Sequence, residues 1–446
     1  MQLIEFSQET SMCRPLGAWE QLFWVSEQVH PTHSVLTVKI SGELSIEQLE
    51  QALIQVQQRQ LLLRVRIAFD EAQKPWFVED TAKIPLRVIP RQGEEHWQQE
   101  LERELSERFV CTEAPLIRVV LLHSTKVSEL ILSSHHCIFD GTSNILLTQE
   151  ILQALDKPNA LIKPLPAVAA MENLIPNISD DNLLPANFEP KNIGWLKQSS
   201  LKTKLTSHLP GSSNFTDDKI FSAEILPQLH FASISQEQTQ LLISRCQQEK
   251  TTIYSVLYAA FLLAVARQNT SSKLQTLKCF FSINMRLYLK PIIEKHIGYY
   301  SHGKVILKSL TANVNLWELA RSIENQLKKD IKSEKIHEEV LASQKWLSST
   351  NPSINEVSQA LAEQFNNGVT VSHLGQVQFS PQLEQFKVLS IYGPVGVPIP
   401  TAKNQWLVEA ATVENQLCLA LVLPKLTISS AQAKQLLQEA ISLLQN

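Results

Sequence analysis

Hydrophobic positions recur at two different periods along the first third of the chain, and each change of period marks an element. From Ser34 to Ile40 the chain reads SVLTVKI, in which Leu36, Val38 and Ile40 alternate with Thr37 and Lys39, the pattern of a half-buried strand. Past the Gly42 turn the period lengthens. Ser45 and Gln48 stand at capping-box spacing, and Leu49, Ala52, Leu53 and Val56 follow on one helical face. A second helix is predicted from Glu94 to Arg108. Leu116–His123 and Glu129–Ser134 are then apolar, β-branched runs on either side of the polar STKVS, which predicts neighbouring antiparallel strands. Beyond Gly141, TSNILLTQEILQALD predicts a helix with a Thr or Ser cap and Ile145, Leu146, Ile151 and Leu155 as its apolar positions.

From Lys157 to about Gln228 the periodicity fades and prolines punctuate the chain, from Pro158, Pro164 and Pro166 to Pro210 and Pro227, so this stretch reads as a crossover linker. The pattern resumes at LHFASIS and at Ser235–Gln238, a second capping-box spacing, followed by two helices to about Gln268. The second of them, TIYSVLYAAFLLAVARQ, is apolar nearly all round and is expected to be buried. TLKCFFSINMR reads as a buried strand running into a loop, NLWELARSIENQLKK as an amphipathic helix, GVTVSHLG and QLCLALVLP as strands, and Ser429–Leu444 as a closing helix. The fold class is therefore α/β, with a first domain over 1–157, a linker over 158–228 and a second domain over 229–446, meeting at a cleft.

Composition narrows the function classes. A length of 446 residues exceeds what one core usually serves and fits domains of roughly 200 residues each. With 44% hydrophobic and 19% charged residues and a net charge of −4, the chain is not basic enough to bind nucleic acid. Cys13, Cys111, Cys137, Cys246, Cys279 and Cys418 are scattered with no C-x-x-C pair, which argues against a zinc site or a disulfide framework and fits the cytoplasm. The N-terminal residues lack the basic flank and apolar core of a signal peptide. The longest apolar run, Ile253–Ala266, is 14 residues and too short for a transmembrane segment.

The candidate chemistry lies in SSHHCIFDGTS, Ser133–Ser143, a strand-to-helix loop of the kind on which sites are built. His135 and His136 follow a strand, so their side chains should point to opposite sides, one to a site and one into the packing. A neutral imidazole suits proton abstraction near neutral pH. Asp140 can contact the imidazole or form a buried salt bridge that shapes the loop, and Gly141 would permit a backbone angle that other residues resist. A pair of histidines is by itself more often structural than functional. No third ligand stands at metal-binding spacing, and no G-x-S-x-G elbow supports a Ser-His-Asp triad. Cys137 reads as an apolar loop filler, and Trp19, Trp97 and Trp317 as core or interface residues.

The run His135, His136, Asp140, Gly141 at the end of a strand resembles the H-H-x-x-x-D-G motif of the condensation-domain and CoA-dependent acyltransferase superfamily. RPLGAWEQLFW resembles that family's opening segment. LEQALIQVQQRQLLLRVRI resembles its helix and following strand, with Gln60-Leu61 where His-Pro is usual. TIYSVLYAAFLLAVAR, SINMR and VSHLG resemble segments of its second domain, with His373 where Asn is common. Within the superfamily the chain looks most like stand-alone, polyketide-associated transferases of the phthiocerol dimycocerosyl type and alcohol acyltransferases. The D-F-G-W-G motif of the plant branch is absent.

The resemblance implies two chloramphenicol-acetyltransferase-like domains, each a mixed β-sheet with helices, with the histidine loop at mid-depth of a central tunnel. It implies that His136 is the general base of a transfer in a ternary complex, that His135 is its structural neighbour, and that Asp140 pairs with an arginine. Arg64 and Arg286 are both candidates for that pairing. Ser143, Asn284, Ser372 and His373 are candidate substrate or oxyanion contacts, each with a packing or capping alternative. The implied co-substrate is an acyl-CoA or a phosphopantetheinyl carrier thioester, with no tightly bound cofactor and no metal. The implied partners are a small-molecule or lipid-like alcohol or amine acceptor and an acyl carrier protein in trans. Lys197, Lys202 and Lys204 could meet a nucleotide phosphate but read equally as a solvated surface. Two other readings stand beside this one: a non-catalytic module that docks a carrier protein or ligand, and a stand-alone nonribosomal peptide condensation enzyme.

Overall fold

The computed structural model describes residues 12–158, 163–176, 227–268, 274–350, 352–378, 383–399, 401–425 and 427–446. Most of the proline-rich stretch, with Lys197, Lys202 and Lys204, lies outside them. In chain order the elements are β1 (Met12–Pro15), α1 (Ala18–Ser26), β2 (His33–Ser41), α2 (Ile46–Arg59), β3 (Val65–Phe69), β4 (Pro75–Glu79), β5 (Leu86–Pro90), α3 (His96–Ser106), β6 (Ile117–His123), β7 (Val127–His135) and α4 (Gly141–Asp156). They continue with β8 (Pro227–Ile234), α5 (Gln236–Gln248), α6 (Ile253–Gln268), β9 (Gln275–Asn284), β10 (Ser301–Leu310), α7 (Leu316–Asp330), α8 (Ser333–Thr350), α9 (Ile354–Phe365), β11 (Gly368–Val377), β12 (Lys387–Gly396), β13 (Gln405–Val413), β14 (Gln416–Pro424) and α10 (Ser430–Gln445).

The fold is mixed α/β. A five-stranded sheet runs β12-β2-β7-β6-β5, a six-stranded sheet runs β10-β9-β11-β13-β14-β8, and a three-stranded sheet runs β1-β4-β3. Both larger sheets mix parallel and antiparallel pairs: β5 lies parallel to β6, and β11 lies parallel to both β9 and β13. The five-stranded sheet is completed from the other half of the chain, because β12 pairs with β2 in the register Val388↔Ile40 and Ile391↔Val38. At the other end of this crossover, Asp156 Oδ1 accepts the N–H groups of Glu384 and Gln385 at 2.8 Å each, tying the end of α4 to the approach to β12.

Local sequence accounts for the helices that flank the sheets. Ser45, Ser235 and Ser429 cap α2, α5 and α10. In α6 every residue from Ser255 to Ala266 is buried, because α7 and α10 cover one side and the six-stranded sheet the other. The predicted helix over 94–108 is shorter, spanning His96–Ser106. β9 is only alternately buried, through Leu277, Cys279 and Phe281, since one of its faces looks away from the core.

Where the two larger sheets meet, α3 and the faces carrying Val35, Ile131, Leu407, Ala420 and Val422 share one apolar layer. Trp97 stacks on Tyr392 there, with ring centroids 4.8 Å apart. Trp19 and Trp317 are buried in two other clusters. Among the described residues no single helix is long and apolar enough to cross a membrane.

Candidate active site

The histidine loop joins β7 to α4, and two backbone hydrogen bonds hold its β7 end. The His135 N–H donates to the Leu116 carbonyl and the His136 N–H to the Thr32 carbonyl, each at 3.1 Å. The side chains then diverge. His135 is fully buried; its Nδ1 accepts the Cys137 N–H at 3.1 Å, and its Nε2 lies 3.1 Å from Thr32 Oγ1 and 3.5 Å from Glu27 Oε2. Glu27 also accepts the Thr32 N–H at 2.6 Å. Burial opposes the ionisation of Glu27, but the bond to His135 and the charges around it outweigh burial and hold its pKa at about 2. His135 is thus committed to a buried network that positions the loop.

His136 is half-buried, and its Nδ1 lies 3.1 Å from the Phe139 carbonyl. A carbonyl can only accept, so Nδ1 carries the proton and Nε2 presents a lone pair. No hydrogen bond engages Nε2 among the described residues. The ring rests on Phe23, at a centroid distance of 5.1 Å, and Phe23 in turn meets Tyr299 edge-on at 4.8 Å. Burial in this aromatic setting lowers the pKa of His136 below the ordinary 6.5, so the imidazole is neutral at pH 7.

Asp140 resolves the choice between the two arginines. Its Oδ2 accepts from Arg286 Nη1 at 2.6 Å and from the Tyr300 N–H at 3.0 Å, and its Oδ1 accepts the Ser143 N–H at 2.7 Å. Asp140, not Thr142 or Ser143, is therefore the N-cap of α4: its oxygen reaches the orphan N–H of the first turn. Burial would raise the Asp140 pKa, but the Arg286 guanidinium outweighs it and holds the carboxyl below 3.8. Arg64 is engaged elsewhere, with Glu79 and with the carbonyls of Gln57 and Gln58.

Gly141 is needed for a different reason than a special backbone angle, since its φ is ordinary. A Cβ there would stand 3.0 Å from Leu374 Cδ2, so the glycine lets β11 approach the loop closely.

Ser143 is fully occupied: its hydroxyl donates to the Gly298 carbonyl at 2.7 Å and accepts from the Gly298 N–H at 3.1 Å and Arg286 Nη2 at 2.8 Å. That excludes it as a free oxyanion donor. Asn284, at the end of β9, orients Arg286 by accepting its N–H at 3.1 Å. Ser372 stands directly opposite Glu409 in the β11–β13 pair, and burial pushes the pKa of Glu409 up to about 8. His373 points to the other side of β11, stacks on Tyr254 at 6.1 Å and is held at about 4 by burial. The structure thus gathers Asp140, Ser143, Asn284 and Arg286 into one clamp behind His136 and leaves Arg64 outside it. Cys137 is fully buried and its thiol is pushed up to about 11, too high for a nucleophile at neutral pH. Among the described residues, no group of three or more His, Cys, Asp and Glu side chains could hold a metal ion.

Gln60, which stands where the resembled family has His, is built into this scaffold. Its amide donates to both oxygens of Glu150 at 3.1 Å and to the Lys295 carbonyl at 2.8 Å, and it accepts the Ile297 N–H at 3.1 Å. It anchors the segment that leads to Gly298 and Tyr300. Phe23 and Glu27 are placed by α1, Tyr299 by the approach to β10 and Glu409 by the pairing of β13, through contacts between segments far apart in the chain.

Residues 21–276, more than half of the chain, match the condensation domain. The chain belongs to the condensation-domain family. Residues 224–417 of this condensation-domain protein also match the phthiocerol/phthiodiolone dimycocerosyl transferase C-terminus. Curated relatives include a linear gramicidin synthase of Brevibacillus parabrevis, 30% identical over 26% of this chain, and cyclosporin synthetase of Tolypocladium inflatum, 27% identical over 52%. The chain spans about 2% of the length of either relative.

Among solved structures, polyketide synthase associated protein 5 from Mycobacterium tuberculosis superposes with a TM-score of 0.67 at 17% identity, covering 98% of this chain and 97% of that one. A trichothecene 15-O-acetyltransferase from Fusarium sporotrichioides gives 0.71 at 12% identity over 100% and 97%. The first condensation domain of the calcium-dependent antibiotic synthetase gives 0.66 at 14% over 97% and 95%. At these identities the structural likeness establishes the shared two-domain fold.

Proposed function

We propose that the chain is an acyltransferase that moves an acyl group from a CoA or carrier-protein thioester to an alcohol or amine, with His136 as general base. The observation that carries the reading is the committed Nδ1 of His136, which leaves Nε2 as a proton acceptor on a neutral imidazole. In this mechanism Nε2 takes the acceptor's proton as its oxygen or nitrogen attacks the thioester carbonyl. The tetrahedral intermediate then expels the thiolate, which receives that proton from His136. A thioester is already activated, so alignment and one base suffice without an acyl-enzyme. With Ser143 occupied, Ser372 and Asn284 are the remaining hydroxyl and amide candidates to stabilise the developing oxyanion.

The same reading takes 1–157 and 229–446 as the two domains, 158–228 as the crossover and the seam between the sheets as the tunnel for both substrates. It has the protein in the cytoplasm, receiving its donor as free acyl-CoA or from a carrier in trans, with no tightly bound cofactor. The test is incubation of the purified chain with acyl-CoA and acyl-carrier donors and a panel of alcohols and amines, following thiol release and product mass. Wild type should form acylated product, and His136→Ala should lose about 10²–10⁴ of the rate at unchanged fold. Equal rates in the two proteins would remove His136 from the chemistry.

A further inference from the structure

The six-stranded sheet presents one acidic side chain to the seam between the two halves. Along β13, Trp406, Val408 and Ala410 point to α6 and α10, whereas Leu407, Ala411 and Val413 point to clusters shared with the five-stranded sheet. By the period of two, Glu409 shares this second face. Its sheet neighbours there are Ser372 on β11 and Ala420 on β14. Two residues beyond Ser372, on the same face, Leu374 touches Gly141 of the histidine loop. The carboxyl therefore sits about 7 Å along the strand from the contact with the catalytic loop.

Glu409 is 8% exposed, and its Oε2 is buried with no hydrogen-bond partner. Of its two sheet neighbours, Ser372 brings a single hydroxyl to this face and Ala420 has no polar side-chain atom, and no cation pairs with Glu409 among the described residues. A buried carboxyl with an unengaged oxygen is costly to fold around, and the cost is removed when a bound molecule supplies the partner. Its raised pKa, caused by burial, keeps the group uncharged near neutrality, and Tyr254 is the titratable group that feels its charge. An uncharged carboxylic acid donates through its O–H and accepts through its carbonyl oxygen, which complements a hydroxyl or an amide rather than an ammonium ion.

We propose that Glu409, opposite Ser372 in the sheet, is a specificity-determining residue that binds a second, uncharged hydroxyl or amide group of the acyl acceptor, remote from the atom that is acylated. The assignment to the acceptor rests on the acyl-transfer reading; the existence of the polar subsite does not.

The experiment measures calorimetric binding of n-alkanols, α,ω-diols from propanediol to decanediol, and pantetheine to the full chain. It is run in a His136→Ala background with Glu409 intact, Glu409→Gln and Glu409→Leu. At the matching chain length the diol should bind about tenfold tighter than the mono-alcohol, the worth of one hydrogen bond, and Glu409→Leu should abolish that ratio. Glu409→Gln, which keeps a donor and an acceptor, should preserve it and serves as the control for folding. A diol to mono-alcohol ratio that is the same with Glu409 and Leu at every chain length overturns the proposal. Loss of pantetheine affinity in its place would put the donor arm before Glu409 and overturn the assignment to the acceptor. If the ratio responds to Glu409 but wild type transfers acyl groups to no acceptor, the transferase reading fails and the subsite stands.

Discussion

The clamp formed by Asp140 and Arg286 is where the fold and the site are most directly coupled, and replacing Asp140 by Asn tests it. The two side chains are 5% and 4% exposed, and the ion pair closes at 2.6 Å. Asn keeps an oxygen for the Ser143 N–H, so the cap of α4 survives, but its NH2 group takes the place of Oδ2, and Arg286 Nη1 and the Tyr300 N–H both lose their acceptor together with the charge. What remains is a buried guanidinium whose other acceptors are the Ser143 hydroxyl, the Gly298 carbonyl and Asn284. Removing one partner of such a pair costs about 3–5 kcal/mol. That is a large share of a native stability of about 5–15 kcal/mol.

Arg286→Met should cost about the same, and the double variant Asp140→Asn/Arg286→Met should be less destabilised than the sum of the two by about 2 kcal/mol, because the second change relieves the stranded charge left by the first. Denaturant midpoints and slopes followed by circular dichroism give all four corners of the cycle. Because the folded-state pKa of Asp140 lies below 3.8, its contribution is present above that pH and is lost as pH falls through the lower, folded value. The reasoning is refuted if either single variant costs less than about 1 kcal/mol, or if the two effects add within about 0.5 kcal/mol.

Two further outcomes follow from burial of titratable groups. Since His136 must be neutral to act and its pKa lies below 6.5, kcat/KM for acyl transfer should rise through that lower pKa and be flat from about pH 7 upward; a rise still in progress at pH 8 would exclude His136 as the base. Glu409 runs opposite to Asp140: with a folded pKa of about 8 against an ordinary 4.5, the folded state holds a proton that the unfolded state has released, so stability falls as pH rises between those values. The slope is about 1.4 kcal/mol per pH unit and the whole window is worth at most about 5 kcal/mol. Thermal or denaturant unfolding of wild type and Glu409→Gln at pH 5.5, 6.5 and 7.5 should therefore diverge, with wild type losing ground as pH rises; parallel curves would mean that Glu409 is ionised and paired.

What the sequence makes legible is what depends on near neighbours in the chain. The caps Ser45, Ser235 and Ser429, the all-round apolar α6 and the pair β6–β7 are set by residues within a few positions of one another. The cap of α4 is Asp140 where the pattern points to Thr or Ser, because Asp140, Thr142 and Ser143 are all good capping residues in one short run, and only the geometry shows whose oxygen meets the first-turn N–H. Arg64 and Arg286 look equivalent in sequence, yet the pair with Asp140 is made across 146 positions. The pairing of β12 with β2 is similarly remote, and nothing in KVLSIYGPVG names its partner strand. Glu409 is invisible because QWLVEAATV reads as an ordinary strand whose one acid would face water; only the stacking of two sheets puts that face inside.

Asp140 and Glu409 are both buried carboxyl groups, and the contrast between them separates scaffold from site. Asp140 engages Arg286, Tyr300 and Ser143 with its two oxygens, so its low pKa is the mark of a completed network that asks for nothing further. Glu409 has a buried Oε2 with no partner, and its high pKa, raised by burial, is the mark of an incomplete one. The two histidines of the loop divide in the same way. His135 is engaged at both ring nitrogens, whereas His136 gives Nδ1 to Phe139 and leaves Nε2 open. In a protein interior nearly every polar atom finds a partner, so atoms left open on half-engaged groups carry more information than the motif itself. His136 Nε2 and Glu409 Oε2 lie on the two structures that meet at Leu374 and Gly141, and on the proposed reading one takes the reacting proton and the other meets a second polar group. A single acceptor carrying two such groups at the right spacing would complete both at once, and the chain length at which a diol binds best measures that spacing.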